Sequence, residues 1–167
     1  MIDLIVLHCS DTRPSTNYTI ERLMRDHKAR GFGPYPGYHI FIRRDGTAYY
    51  CRPLSLPGCH VSGYNAHSIG ICTEGGHREG PPQIPVGDLQ DLERLSSGAA
   101  SHPPHKGIEG GSVFEDNRTA EQKVVVHEVL TMLHAELPKA RIVGHHDLNP
   151  GKACPCYDAR REYAYIS

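Results

Sequence analysis

The pattern of hydrophobic and polar positions starts with a short, unbroken apolar run. Residues 2–10 read IDLIVLHCS, a segment rich in β-branched side chains that predicts a buried strand ending near His8. Turn-forming residues follow at once in SDTRPST. Because ligands of α/β proteins bind at the ends of strands, His8 becomes a candidate site residue.

The next segment, TIERLMRDHKARG, has apolar residues at helical spacing and predicts an amphipathic helix. Thr19 is placed to cap its N-terminus and Gly31 to end it. Its apolar face is expected to consist of Ile20, Leu23 and Met24.

Two further segments predict strands. GYHIFIRRDGTAYYCR contains two β-prone stretches on either side of Asp45 and Gly46, a pair that favours a hairpin turn. SIGICTEGG is apolar and bounded by glycines, which is typical of another buried strand.

The second half of the chain contains a long stretch without periodicity and then a strong helix pattern. Glycine and proline recur between residues 77 and 117, and only VGDLQDLERL favours a short helix, so this stretch predicts a long loop insertion. In TAEQKVVVHEVLTMLHAEL, Thr119 and Gln122 have capping-box spacing, and Pro138 closes the helix. The apolar stripe comprises Val126, Val129, Leu130, Leu133 and Leu137.

These elements together predict an α/β fold. RIVGHHD indicates a last short strand, and DARREYAYI a final helical turn or two. Strands interspersed with helices suggest a single domain, residues 1–167, in which a central mixed β-sheet is flanked by helices and carries the insertion at about 77–117. A chain of 167 residues is long enough to bury roughly two thirds of its unfolded surface.

Composition excludes some classes of function. The net charge is −1, so no overall field attracts nucleic acid or anionic lipid, and neither is expected as a partner. The N-terminal MIDLIVLHCSD is too short and too acidic for a signal peptide or a membrane span. We therefore expect a cytoplasmic protein, or one that reaches the cell wall by release or non-classical export. Reduced thiols are the default there, with a disulfide between Cys51 and Cys59 as the alternative.

Metal-ligand residue types are concentrated near the carboxyl end, in GHHDLNPGKACPC. A catalytic zinc takes three protein ligands and leaves a fourth position to water. Adjacent strand residues point to opposite faces, so His145 and His146 are not expected to share one ion. Cys154 follows a Pro-Gly loop that can fold back beside the strand end, where His8 offers a third ligand. An ordinary histidine at each position, or a redox pair formed with Cys156, remains the alternative.

Five blocks of sequence carry a family resemblance. VLHCSDT, GYHIFIRRDGT, GCHVSGYNAHSIGICTEGG, NRTAEQ and GHHDLNPGKACP occur in this order between Ile5 and about Asp158. Together they resemble the zinc-dependent type 2 N-acetylmuramoyl-L-alanine amidases, the phage lysozyme-type enzymes related to peptidoglycan recognition proteins. The resemblance implies hydrolysis of the amide that joins N-acetylmuramic acid to L-alanine in peptidoglycan or muropeptides.

The resemblance also implies roles for individual residues. His8, His145 and Cys154 fall on the positions of the family's Zn²⁺ ligands. Tyr38 in GYH and Lys152, two residues before the ligand cysteine, fall on its catalytic positions. A tyrosine buried in the core and a lysine in solvent are the alternatives for these two.

The segment GCHVSGYN matches the family's substrate groove, which makes His60 and Asn65 candidates for contacting glycan or peptide. Three features depart from the family pattern: the additional residue in PGKACP, where the short phage form has PKACP, Cys156 beside the ligand cysteine, and the 77–117 insertion. A protein partner is expected, if at all, through this insertion.

Two other classes of function compete with the amidase. The first is a non-catalytic muropeptide-binding module, and the second is a domain with a purely structural metal. Binding-only relatives typically lack the cysteine ligand, so Cys154 favours the enzyme.

Overall fold

The computed structural model describes residues 1–80 and 113–166. Its centre is a five-stranded sheet in the order β3-β2-β4-β1-β5. The strands are β1 (Leu4–Cys9), β2 (Ile40–Ile42), β3 (Ala48–Tyr50), β4 (Ser68–Thr73) and β5 (Arg141–Gly144). β1 pairs in parallel with both of its neighbours, β4 and β5, whereas β2 and β3 form an antiparallel hairpin. The sheet is therefore mixed, as predicted.

The two long helices begin where the sequence predicts. They are α1 (Ile20–Ala29), α2 (Ala120–Glu136), the short turn α3 (His145–Leu148) and α4 (Ala159–Glu162), and two 3₁₀ turns cover Pro14–Thr16 and Asn65–His67. The Thr19 side chain caps α1 by accepting from the backbone N–H of Arg22. Thr119 and Gln122 form the full capping box at the start of α2.

The predicted apolar face of α1 was partly wrong. Leu23 is buried, but Met24 is 44% exposed and the second buried residue of the helix is His27. His27 is accommodated because its Nδ1 accepts the backbone N–H of Gly37 at 2.8 Å. A histidine with a hydrogen-bonded ring nitrogen is thus buried on this helix, whereas the hydrophobic pattern had predicted that Met24 would be buried.

Alternation along β1 separates the two faces of the sheet. Ile5 and Leu7 belong to the main core, which includes Val126, Val129, Leu130 and Leu133 of α2. Leu4 and Val6 point the other way and pack with Val61. On that second face, Phe41 and Cys72 of the neighbouring strands pack with Tyr18 and with Leu23 of α1. Helices therefore cover both faces, and His8 points towards the second one.

The two ends of the predicted insertion meet beside the sheet. His77 and Phe114 form an isolated antiparallel bridge, and the backbone N–H of Arg78 donates to the carbonyl of Val113 at 2.7 Å. Asn117 accepts from the N–H of Gly76 through its side-chain oxygen. Residues 81–112, including the predicted VGDLQDLERL helix, lie outside the described residues. The domain boundaries and the extent of the insertion thus stay predictions.

Within the described residues, no helix is long and apolar enough to cross a membrane.

Candidate active site

His8 is brought to the site by a fully buried strand, β1. All six residues of β1 are buried, and His8, the fifth of them, is 1% exposed. Its register partner on β4 is Cys72. Burial, together with the neighbouring imidazoles of His60 and His145, holds the pKa of His8 well below its ordinary range. The ring is therefore neutral near pH 7, the form in which imidazole binds metals.

His145 reaches the same place through the pairing of β5 with β1. Gly144 is in register with Leu7, so the following residue emerges beside the end of β1. The ring centroids of His8 and His145 are 4.7 Å apart. The expected strand conformation for both histidines was wrong, because β5 ends at Gly144 and His145 opens the α3 turn. The consequence drawn from it holds: His146 is not part of the converging group.

Cys154 is brought back to the strand end by two backbone hydrogen bonds. Its carbonyl accepts from the N–H of His146 at 2.8 Å, which ties the loop to α3. Its sulfur accepts from the N–H of Cys9 at 3.1 Å. This backbone donor favours the thiolate, the metal-binding form of cysteine, but burial outweighs it and raises the pKa of the Cys154 thiol in the metal-free protein, so a bound cation is needed to stabilise the thiolate.

His8, His145 and Cys154 form the one group of three His, Cys, Asp or Glu side chains with metal-site geometry in the described part of the chain. Their ligand atoms all lie within 4.8 Å of one another. Cys154 Sγ is 3.7 Å from His8 Nδ1. Ordinary Zn–S and Zn–N bond lengths in a tetrahedron place sulfur and nitrogen about 3.6 Å apart. The three side chains therefore fit a metal ion that keeps a fourth position open.

Cys156 is directed elsewhere. Its sulfur lies 3.6 Å from Cys9 Sγ and 3.3 Å from the carbonyl oxygen of Gly76. All six cysteines of the chain are free thiols, so neither a Cys51–Cys59 disulfide nor a redox pair within CPC is formed. Of the two sulfurs in CPC, Cys154 is the one that belongs to the metal group.

The predicted catalytic residues flank this group. The Tyr38 ring centroid lies 5.1 Å from that of His8, and burial raises the pKa of its phenol well above 10. The hydroxyl is therefore a neutral donor in the metal-free protein. Lys152 is exposed, and its charge is the second cause, after burial, of the lowered pKa of His145. Its positive charge thus acts on the ligand cluster.

The predicted substrate-binding residues also lie here, with additional contacts that sequence did not indicate. His60 Nδ1 is 2.9 Å from His8 Nε2, and His60 Nε2 is 3.3 Å from Ser68 Oγ. The Asn65 side-chain oxygen accepts from the backbone N–H groups of His60 and Val61. Neither Ser68 nor these pairings carry a local sequence signal, because the partners come from separate elements.

His39, next to Tyr38, has a structural role. The side chain is fully buried. Its Nδ1 accepts from the N–H of Gly70 at 3.0 Å, and Nε2 lies 3.0 Å from the carbonyl of Leu56. Both ring nitrogens are therefore used within the protein.

Comparison with known proteins agrees with this geometry. The family model described as N-acetylmuramoyl-L-alanine amidase matches residues 1–157. The chain belongs to the N-acetylmuramoyl-L-alanine amidase family. The endolysin of Enterobacteria phage K11 is 33% identical to this amidase over 155 residues, which cover 93% of this chain and 81% of the endolysin. The endolysin of Escherichia phage T7 is 31% identical over 159 residues, which cover 95% and 83%.

Solved structures support the fold. The N-acetylmuramoyl-L-alanine amidase LysC from Clostridium intestinale URNW matches with a TM-score of 0.66 and 23% identity, covering 99% of this chain and 85% of LysC. The predicted family and the predicted fold class are thus confirmed, and the chain is an amidase. The alternative of a non-catalytic binding module is not supported.

Proposed function

We propose that this amidase hydrolyses the bond between the lactyl group of N-acetylmuramic acid and L-alanine with the help of one zinc ion. The substrate is peptidoglycan or muropeptide fragments. The observation that carries the proposal is the convergence of the His8, His145 and Cys154 donor atoms within 4.8 Å. The phage relatives named endolysins support a substrate in the cell wall.

The donor set favours zinc over other common ions. Imidazole and thiolate are the usual ligands of Zn²⁺, whereas Mg²⁺ and Ca²⁺ prefer oxygen. A zinc ion held by His8, His145 and Cys154 would supply a Lewis acid for the amide carbonyl and would lower the pKa of the attacking water.

Lys152 is assigned to the charge that develops during the reaction. As water adds to the amide carbon, the carbonyl oxygen becomes an oxyanion and requires a positive or hydrogen-bonding partner. Lys152 is exposed, and its positive charge contributes to the lowered pKa of His145, which supports this assignment. It donates to the oxyanion without being a ligand of the metal.

Tyr38 is assigned to orientation. Its neutral hydroxyl is part of the buried surroundings of His8 and donates a hydrogen bond to water, to the carbonyl or to the leaving amine. Kinetic measurements on substrates, rather than the position of the hydroxyl, distinguish which of the three groups accepts this hydrogen bond.

His60 and Asn65 are assigned to the wall of the substrate groove, on the same face of the sheet as His8. Both are partly exposed. The 77–117 insertion is proposed to bind a protein partner.

Metal analysis followed by turnover tests the proposal. We expect one zinc per chain and release of the stem peptide from a purified muropeptide. Chelation should abolish turnover in a protein that stays folded, and added Zn²⁺ should restore it. Unfolding upon chelation would instead indicate a structural metal, and turnover by metal-free protein would contradict the zinc mechanism.

A further inference from the structure

We propose that His60 is a positioning residue for the metal: together with Ser68 it fixes the tautomer and the ring orientation of His8. This inference rests on the proposed zinc site and deepens it, because it assigns residues outside the ligand set to metal affinity. It adds a second task to a residue otherwise expected to contact substrate.

The two nitrogens of His8 have different surroundings. Nδ1 faces Cys154 Sγ at 3.7 Å, on the side where the ligand atoms converge. Nε2 faces away from them and lies 2.9 Å from His60 Nδ1. Only Nδ1 is therefore placed to bind the ion, and Nε2 must carry the ring proton if His8 is to bind as a neutral ligand.

The contacts run from His8 through His60 to Ser68 and end at the backbone carbonyl of Tyr64. This last contact fixes the direction of each hydrogen bond before it. Ser68 Oγ donates to the backbone carbonyl of Tyr64 at 2.8 Å, and a carbonyl oxygen only accepts. With its proton used there, Ser68 Oγ is left to accept from His60 Nε2–H at 3.3 Å. His60 Nδ1 then carries a lone pair and accepts from His8 Nε2–H. The lone pair of His8 is thus placed on Nδ1, towards Cys154.

The His60 ring is held in a slot made by two glycines. A Cβ added to Gly58 would lie 2.3 Å from His60 Cδ2, and one added to Gly70 would lie 2.7 Å from the same atom. Both positions require glycine because of space, since any side chain there would displace the ring. The backbone of His60 is also held, because its N–H donates to Asn65 Oδ1 at 2.8 Å.

The combination of close contact with two glycines and hydrogen bonds at both nitrogens is more than a groove contact requires. It is what a partner of a metal ligand requires, because such partners orient the ligand ring and raise its basicity. Loss of partners of this kind typically weakens metal binding by about 10- to 100-fold.

Three substitutions of His60 separate the roles. Asparagine places its side-chain oxygen where Nδ1 lies and keeps the acceptor for His8. Glutamine places its amide one carbon further from the backbone, so its oxygen no longer lies at the position of Nδ1. Alanine has no acceptor at all. We expect zinc affinity, measured by competition with a chromophoric chelator, to fall by about 10- to 100-fold in His60→Ala and His60→Gln, with most of it retained in His60→Asn. Thermal unfolding of the zinc-free proteins controls for a general loss of structure.

Nuclear magnetic resonance gives a second readout. In the zinc-loaded wild type, the ¹⁵N shifts of the rings should show Nε2–H on both His8 and His60, with His8 Nδ1 bound to the metal. Ser68→Ala should disturb the His60 signal while zinc stays bound. A proton on Nδ1 of either ring in the loaded protein would overturn the proposal.

The outcomes separate this inference from the zinc proposal itself. If the wild type binds no zinc, both fail. If it binds zinc and His60→Ala and His60→Gln bind it equally well, the positioning role alone fails. A raised KM with unchanged zinc affinity in these variants would assign His60 to substrate only.

Discussion

Two buried polar side chains lie at the ends of neighbouring strands, and they have opposite surroundings. Glu74 follows β4 and is 1% exposed. One carboxylate oxygen accepts from the N–H of Tyr18 at 2.6 Å, and the other from Arg43 Nε at 3.0 Å and from the N–H of Arg44 at 3.2 Å. His8, at the end of β1, is equally buried. Its Nδ1 faces the sulfur of Cys154 rather than a strong donor.

The difference shows that burial alone does not identify a functional residue. Around Glu74 every acceptor meets an N–H of the chain, so the cluster is complete without a ligand. Around His8 three electron-pair donors converge on each other, an arrangement that a cation stabilises. The first cluster is expected to contribute to folding, and the second to metal binding and catalysis.

The largest expected effect is that of Cys154→Ser on activity. A neutral hydroxyl is a much poorer zinc ligand than a thiolate, so zinc affinity should fall by more than about a hundredfold and amidase activity should be lost. Elemental analysis and a muropeptide assay measure both. Cys156→Ser is the matched control and should keep zinc and activity. An essential Cys156 beside a dispensable Cys154 would reverse the assignment.

Glu74→Gln should affect stability instead. Removing one partner of a buried, hydrogen-bonded charge typically costs about 3–5 kcal/mol, which corresponds to a fall in Tm on the order of 10 °C for a domain of this size. Zinc stoichiometry of the folded variant should be unchanged. Glu79, whose exposed carboxylate binds Ser15, supplies the control Glu79→Gln, which should leave Tm almost unaltered. Loss of zinc from a stable Glu74→Gln protein would show that Glu74 also supports the metal site, and would contradict the separation of the two clusters.

Lys152→Ala should lower turnover while leaving zinc in place. Loss of one oxyanion donor typically costs about 3 kcal/mol, or roughly a hundredfold in kcat. Lys152→Arg keeps the charge and should retain more activity. Tyr38→Phe should likewise reduce kcat with unchanged zinc content. Normal rates in both Lys152→Ala and Tyr38→Phe would show that the metal works with other partners.

The stability of the zinc-free protein should depend on the buried neutral histidines. Burial lowers the pKa of His27 from 6.5 to about 4. The unfolded chain therefore binds a proton that the folded chain does not, and stability should fall as pH decreases from about 6.5 towards 4. For His27 the loss at pH 5 is on the order of 1–2 kcal/mol.

Urea unfolding at a series of pH values measures this slope. His27→Asn keeps an acceptor for the N–H of Gly37 without the titration, so its slope should be shallower. The exposed His127 supplies the control His127→Asn, with an unchanged slope. The same dependence of unfolding free energy on pH in the wild type, His27→Asn and His127→Asn would contradict the role assigned to His27.

The smallest expected effect on the core is that of shortening the insertion. Because His77 bridges to Phe114, a short Gly/Ser linker in place of residues 81–112 can join the two ends and keep this bridge. The variant should fold, bind zinc and cleave a minimal muropeptide normally, with any change confined to longer substrates. A variant that does not fold or bind zinc would show that the segment belongs to the core.

The sequence by itself determined most of the secondary structure and the chemical types at the site. The apolar run of β1, the Asp45-Gly46 turn and the Thr119-Gln122 capping box are local signals, and each is confirmed within a few residues. The family blocks predict an amidase from the sequence alone, and the match to the family over residues 1–157 confirms it.

Tertiary structure decided which of these groups meet. His8 and His60 are 52 positions apart and touch because β1 and β4 pair in parallel and the glycines at 58 and 70 leave room for a ring. Cys154 and Cys156 are indistinguishable by type, and only the bonds from His146 and Cys9 direct Cys154 to the ligand cluster. Periodicity and capping are encoded within a few residues, whereas convergence depends on strand register and loop return across the whole fold. The ligand types are thus readable from the chain, while the partners that orient them arise only in the folded protein.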